Sequence, residues 1–98
     1  MKRVTFHAEA DTETIEAARY YETKAPGLGL SFLLDIEDAV EQIRANPKAF
    51  QLVAGEIRRN LLRRFPYSVV YAIEPDRVRI LAIAHQRRRP GYWHHRLE

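Results

Sequence analysis

The stretch RRFPYSVVYAIEPDRVRILAIAH, residues 63–85, contains the segments that decide the fold. Residues 67–74 and 77–85 are rich in β-branched and aromatic side chains, which predicts two strands. Pro75-Asp76 lies between them. Proline is favoured at the second position of a tight turn, so the stretch predicts an antiparallel hairpin.

The register of this hairpin follows if its closing pair is Glu74 and Arg77, because side chains alternate between the two faces of a sheet. One predicted face is wholly apolar or aromatic and must pack on the rest of the chain; it carries Tyr67, Val69, Tyr71, Ile73, Val78, Ile80, Ala82 and Ala84. The opposite face includes Ser68 and His85 and can stay partly open to water. We therefore expect His85 on the open face, although a slip of one residue would place it against the helices.

The segments before the hairpin predict one further strand at each end of a helical region. Residues 56–65, separated from the hairpin by Pro66, are read as a strand, and residues 3–7 as the first strand of the chain.

Between these strands, two segments carry helical patterns. Residues 8–24 begin with acidic side chains, which the helix dipole favours there. Residues 29–45 carry apolar side chains at spacings of three and four. Pro26-Gly27 separates the two helices, so they should form an antiparallel hairpin. The pattern as a whole predicts an α+β fold, with an N-terminal strand and a helix hairpin packed on one face of a small twisted antiparallel sheet.

Length and composition limit the class of protein. The 98 residues suffice for one compact domain, which we assign to residues 1–98. There is no cysteine, which fits a reducing cytoplasm and excludes disulfides and cysteine-based zinc sites. No apolar run approaches the roughly 20 residues needed to cross a bilayer, and no apolar segment follows the basic start. We expect a cytoplasmic protein without a membrane anchor and assign no function to Leu97-Glu98.

The charge is divided unevenly along the chain. Residues 1–55 carry six Lys+Arg and nine Asp+Glu, a net charge of −3. Residues 56–98 carry ten arginines, no lysine and four Asp+Glu, a net charge of +6. Arginine pairs bidentately with phosphates and carboxylates, so the second half suggests a polyanion or an acidic partner. A compositional bias toward arginine explains the same numbers.

Several side chains of the second half are candidates for a functional site. His85 can act as a general acid or base, or can simply be a surface histidine at a strand end. The arginines of the predicted strand 56–65 either contact a phosphate or acidic protein, or form a charged edge that discourages aggregation. This group comprises Arg58, Arg59, Arg63 and Arg64.

The C-terminal segment QRRRPGYW, residues 86–93, combines cations with aromatic rings. Arg87, Arg88 and Arg89 can bind a phosphate backbone. Tyr92 and Trp93 can stack on bases, although Trp93 can equally fold back and close the core. His94-His95 has no carboxylate or cysteine at ligand spacing, so we expect no metal and no cofactor.

Taken together, the helix hairpin with YYETKAPGLGLSFLLDIEDAVEQI and the block RRFPYSVVY followed by LAIAHQRR resemble the RelE/ParE superfamily of toxins from bacterial type II toxin–antitoxin modules. The resemblance covers nearly the whole chain. It implies a small α+β fold and a cognate antitoxin that wraps and neutralises the toxin, forming a toxin–antitoxin hetero-oligomer.

The resemblance implies one of two activities. RelE-like members cut mRNA in the ribosomal A site without a metal, using basic residues and a C-terminal tyrosine or histidine. ParE-like members lack a complete set of these groups and inhibit DNA gyrase by protein contact. For cleavage, the matching positions are His85 for proton transfer, Tyr92 for stacking or proton transfer, and Arg63, Arg64 and Arg87 for phosphate charge. The candidates for contact with a nucleic acid or other target are Arg59, Arg79, Arg88, Arg89 and Trp93.

One position separates these two activities. Ser68 stands where RelE-like sequences often carry an arginine, which removes a phosphate-binding charge unless Arg79 or Arg87 substitutes for it. We therefore place gyrase inhibition slightly ahead of ribosome-dependent mRNA cleavage. A non-toxic relative that only binds its antitoxin is the third alternative.

Overall fold

Two α-helices and five strands make up residues 2–97, the part of the chain that this computed structural model describes. Met1 and Glu98, at the ends of the predicted domain, lie outside the described residues. The elements in chain order are β1 (Arg3–Phe6), α1 (Ala8–Lys24), α2 (Leu28–Ala45), β2 (Gln51–Ala54), β3 (Ile57–Leu61), β4 (Tyr67–Ile73), β5 (Arg77–His85) and a short 3-10 helix (His94–Leu97).

The helix hairpin forms as predicted, and its turn is held by one carboxylate. Glu22, near the end of α1, accepts hydrogen bonds from the backbone N–H groups of Gly27 and Gly29, both at 3.0 Å. These amides belong to the N-terminus of α2, where helices leave N–H groups unpaired. Gly29 also permits close approach of the helices, since a Cβ there would lie 2.6 Å from the carbonyl oxygen of Ala18.

The sheet is mixed, with strand order β1-β5-β4-β3-β2. The pairs β3–β4 and β4–β5 are antiparallel as predicted, and β2 is antiparallel to β3. In contrast, β1 runs parallel to β5, with Arg3 opposite Arg77 and Phe6 opposite Ile80. The sheet is therefore mixed rather than wholly antiparallel as predicted. The parallel pair follows from connectivity, because α1 and α2 carry the chain away from the sheet after β1.

The core lies between the helix hairpin and one face of the sheet, as the apolar pattern predicted. Its centre is aromatic: the ring centroids of Tyr21 and Phe65 are 4.7 Å apart, and those of Phe32 and Tyr67 are 5.1 Å apart. These pairs meet edge to face, the arrangement that aromatic quadrupoles favour. The α+β class and the packing of the helices on one face are confirmed.

The register of the β4–β5 hairpin changes part-way along it. Tyr71 pairs with Ile80, but Val70 pairs with Ala82, so Leu81 is an extra residue in a β-bulge. Beyond the bulge, Ile83 joins the core on the helix side, while Ala82 faces the opposite side. The prediction that alternation continues unbroken to His85 is wrong for this reason.

The strands at the other edge differ from the predicted ones. Residues 51–54 form β2, which the sequence analysis left unassigned, and β3 ends at Leu61 rather than at residue 65. Within residues 2–97, no helix is long and apolar enough to span a membrane.

Candidate functional site

The three consecutive arginines lie in an exposed turn that follows β5. We call residues 86–89 the arginine turn. The backbone N–H of Gln86 donates to the carbonyl of Pro66 at 2.8 Å, and that of Arg88 donates to the carbonyl of His85 at 2.9 Å. These bonds fix the backbone of the turn at the end of the sheet, while its arginine side chains project from it.

The chain then folds back over the open face of the sheet. Trp93 is 5% exposed and packs with Val70, Ala72, Leu81 and Ala82 in a second apolar cluster. Its indole is therefore part of the protein interior. Trp93 folds back onto the sheet and does not offer a free ring for stacking on a base.

A single glutamate fixes this returning segment to α1 and β5. Glu13 Oε1 accepts from Arg96 Nη1 at 2.9 Å and from the backbone N–H of Ile83 at 3.0 Å. Glu13 Oε2 accepts from Arg96 Nη2 at 2.9 Å and from the Tyr92 hydroxyl at 2.8 Å. Arg96, only 4% exposed, also donates to the carbonyl of Leu81. We call Glu13, Tyr92 and Arg96 the Glu13 clasp.

The clasp fills a gap at the edge of the sheet. Because β1 pairs with β5 only as far as Ile80, the polar backbone of residues 81–83 has no neighbouring strand on that side. Glu13 and Arg96 supply the missing partners from side chains. Buried backbone groups need such partners, so the clasp stabilises the sheet.

Within the clasp, Tyr92 is held as a hydrogen-bond donor. Burial and the hydrogen bond to Glu13 raise the pKa of its hydroxyl well above the usual range. One ring face is covered by the guanidinium of Arg88, whose Cζ lies 3.9 Å from the ring centroid. Both the hydroxyl and that ring face are thus already in contact with other groups of the chain.

His85 lies on the helix side of the sheet and not on the open face as predicted, because the bulge at Leu81 reverses the alternation. Its ring meets that of Tyr67 edge to face at 5.0 Å. His85 Nδ1 accepts a hydrogen bond from the backbone N–H of Arg87 at 3.0 Å. A backbone amide only donates, so the neutral ring carries its hydrogen on Nε2.

Arg63 and Arg64 lie in the loop between β3 and β4 rather than in a strand. The backbone N–H of Arg64 donates to the buried carboxylate of Asp35 on α2 at 3.1 Å. Both arginines line a depression beside α2, whereas His85 lines a different one beside α1. Arg63 and Arg64 are therefore separated from His85. His85 also lines a groove on the open face, together with Tyr92 and three other predicted basic residues, Arg59, Arg88 and Arg89.

Two other predicted target-binding arginines are in contact with neighbouring side chains. Arg59 Nε donates to Gln51 Oε1 at 3.2 Å on the open face. Arg79 Nε donates to Glu74 Oε2 at 3.0 Å, and its remaining donors reach the carbonyl groups of Arg96 and Leu97. Arg79 therefore helps to anchor the C-terminal segment.

Comparison with known proteins identifies the family. A family model described as the ParE toxin of type II toxin–antitoxin systems, parDE, matches residues 4–90. The chain belongs to this ParE toxin family. The predicted relationship to RelE/ParE superfamily toxins is confirmed, and the protein is a type II toxin.

A solved structure shares the fold. It is titled "Chromosomal ParDE TA system from P. aeruginosa" and matches with a TM-score of 0.77 and 21% identity, over 87% of this chain and 96% of that one. A comparison with curated proteins found no significant match.

In this ParE-family toxin a groove lies beside the arginine turn on the open face. It has a volume of about 290 Å³ and contains apolar side chains such as Val70 and Ala84. Arg88, Arg89 and His94 stand at its C-terminal wall. Among residues 2–97, no cluster of three His, Asp or Glu side chains could hold a metal ion.

The sequence analysis missed the residues that position the C-terminal segment of this toxin. Glu13 was assigned to the helix dipole, and Arg96 was counted only as a charge. The available signal was Arg96 three positions after Trp93, together with Glu13 at helical spacing from the apolar residues Ala10 and Ala17. Their separation by 83 positions hides the pairing until the fold is known.

Proposed function

We propose that this ParE-family toxin inhibits bacterial DNA gyrase by protein contact through the arginine turn. We further propose that it acts in the cytoplasm and that a cognate antitoxin neutralises it within a hetero-oligomer. The solved ParDE structure with the same fold supports the antitoxin partner.

The observation that carries the choice of gyrase is the separation of Arg63 and Arg64, two of the basic groups matched to phosphate charge, from His85. Proton transfer and phosphate stabilisation must act on the same reacting phosphate, so those groups need a common site. His85 and Arg64 line separate depressions, and the Tyr92 hydroxyl donates to Glu13. Ser68, 4% exposed, adds no charge between them.

A supercoiling assay tests this proposal. Purified gyrase, ATP and relaxed plasmid are incubated with increasing amounts of the toxin, and we expect supercoiled product to disappear. The combined variant Arg87→Ala, Arg88→Ala, Arg89→Ala should lose most of this inhibition. Point variants are preferable to deletion of residues 87–96, since deletion would also remove Trp93 and Arg96 from the interior.

The matched control removes the same number of charges elsewhere. Arg19, Lys24 and Lys48 are exposed on or beside the helix hairpin. Their combined alanine variant should inhibit gyrase like the wild type. Undiminished supercoiling at every toxin concentration would contradict the proposal. New ribosome-dependent 5′ ends in a translated mRNA would then identify the RelE-like alternative, and their absence a non-toxic relative.

A further inference from the structure

The three arginines of the arginine turn are not equivalent. The guanidinium of Arg88 stacks on the Tyr92 ring at 3.9 Å from Cζ to centroid. The side chains of Arg87 and Arg89 have no hydrogen bond, ion pair or aromatic contact within residues 2–97. Of the three, Arg88 is therefore the one whose orientation is favoured by a contact with the described part of the chain.

The Tyr92 ring, on which Arg88 stacks, is itself held in place. The Tyr92 hydroxyl donates to Glu13, and Glu13 is held by the nearly buried Arg96 and by the backbone of Ile83. The orientation of the Arg88 guanidinium is thus linked, through Tyr92 and Glu13, to α1 and β5. Stacking occupies one face of the guanidinium and leaves the donors along its edges free.

We propose that Arg88 is the anchoring contact of this toxin, receiving a carboxylate from an acidic surface of its protein target in a bidentate pair. Tyr92 and Glu13 are its positioning residues. The inference rests on the proposed function and assigns the recognition to one residue of the turn. An arginine that is already ordered loses less conformational entropy on binding than a free one.

The surroundings of Arg88 favour a protein carboxylate over a nucleic-acid phosphate. Binding a nucleic-acid backbone requires several cations along one track. Arg59 lines the groove with Arg88 and Arg89, but Arg64 lies beside α2 and Arg79 is paired with Glu74, so the cations do not continue beyond that groove. The neighbouring groove instead has apolar side chains that a protein segment can cover.

Single substitutions distinguish one anchoring arginine from a general effect of the positive charge of the turn. In gyrase inhibition we expect Arg88→Ala to raise the half-inhibitory concentration at least tenfold, and Arg88→Lys about fivefold, because lysine cannot form the planar fork. Arg87→Ala and Arg89→Ala should raise it less than threefold. Arg19→Ala, an equal charge change on α1, should leave it unchanged. Equal effects of all three turn arginines would overturn the proposal.

Two substitutions at Tyr92 test the role of the ring on which Arg88 stacks. Tyr92→Phe keeps the ring and loses only the hydroxyl, and should retain activity within about threefold. Tyr92→Leu removes the ring and should match Arg88→Ala. The variants are compared at a temperature where circular dichroism shows both folded, since a purely structural role of Tyr92 would affect stability alone. Equal inhibition by both folded variants would contradict the positioning role.

Two further measurements keep this inference separate from the proposed function. If the wild type does not inhibit gyrase, growth inhibition on expression in bacteria ranks the same variants, and a dominant effect of Arg88 still supports the anchor. No growth inhibition by the wild type would refute it. Fluorescence anisotropy with a single-stranded oligonucleotide tests the phosphate alternative; binding that depends on Arg88 would replace the carboxylate partner and overturn the proposal.

Discussion

At the scale of single residues, His85 illustrates how a neighbour decides what a side chain can do. In the sequence it resembles a general acid or base at the end of a strand. In the structure its Nδ1 accepts from the backbone of Arg87, and its ring packs on Tyr67. Its Nδ1 lone pair and one edge of its ring are thus already in contact with other groups of the chain, which favours a structural role.

His85→Ala should therefore leave toxicity almost unchanged while lowering the free energy of unfolding. The loss should be about 1 kcal/mol, because one hydrogen bond and one ring contact disappear. Urea unfolding gives the stability, and induced expression in bacteria gives the toxicity. Loss of toxicity at unchanged stability would instead support the catalytic assignment of His85.

The role of Arg96, a buried charged residue, is likewise determined by the group beside it. Its side chain is 5% exposed and its charge is balanced by Glu13. Arg96→Met should lower the free energy of unfolding by about 3 kcal/mol, since removing one member of a buried pair leaves the other without its partner.

A double-mutant cycle checks that this loss belongs to the pair. Glu13→Gln combined with Arg96→Met should cost at least about 1 kcal/mol less than the two single losses together. Strict additivity would mean that the two residues stabilise the toxin independently.

At the scale of secondary-structure elements, the sequence is informative where polar and apolar residues alternate regularly. The helix hairpin and the β4–β5 hairpin have clear periods and clear breaks, and both are confirmed. The bulge at Leu81 escapes prediction because residues 80–84 are all apolar, so alternation carries no information about which side chain faces the helices. The four-residue strand β2 escapes because QLVA lacks the length of a recognisable pattern.

The candidate site was predictable only in part, for a related reason. The arginine turn could be predicted because its residues are consecutive in the sequence. The Glu13 clasp joins α1 to the last residues of the chain, and neither partner has a local motif. His85 and Arg64 lie apart because β3 ends at Leu61, which leaves Arg63 and Arg64 in a loop over α2.

The contact between the two helices gives a prediction of its own. Gly29→Ala should lower the free energy of unfolding by about 1–3 kcal/mol, because the new Cβ meets the Ala18 carbonyl and the helices must separate. Leu30→Ala, one position along the same helix but 61% exposed, should change it by less than about 0.5 kcal/mol. Thermal unfolding monitored by circular dichroism compares the two. Equal effects would mean that the helices do not approach as closely as described.

At the scale of the whole molecule, buried tyrosines link stability to alkaline pH. Burial raises the pKa values of Tyr67 and Tyr71, and also those of Tyr21 and Tyr92. The unfolded chain therefore loses these protons first, at its pKa near 10. The stability that the tyrosines contribute is complete below that pH and declines as the pH rises above it.

We expect urea unfolding measured between pH 8 and pH 11 to show a stability that falls steeply above about pH 10. Tyr71→Phe should be less stable than the wild type at pH 8, because the hydrogen bond to the Pro47 carbonyl is lost, yet should fall less steeply above pH 10. Tyrosinate absorbance recorded in the same samples should rise together with unfolding. Ionisation of all five tyrosines in a fully folded protein would contradict this linkage.

The pairing of β1 with β5 has a consequence for how the toxin is made. Residues 3–6 are synthesised more than 70 positions before their partners, residues 77–80. Glu13 likewise cannot form its ion pair until Arg96 has been synthesised. Translation that stops early therefore yields a chain whose first strand has no neighbour and whose arginine turn is absent or unsupported. The toxin should therefore become active only after Arg96 has been synthesised and has paired with Glu13.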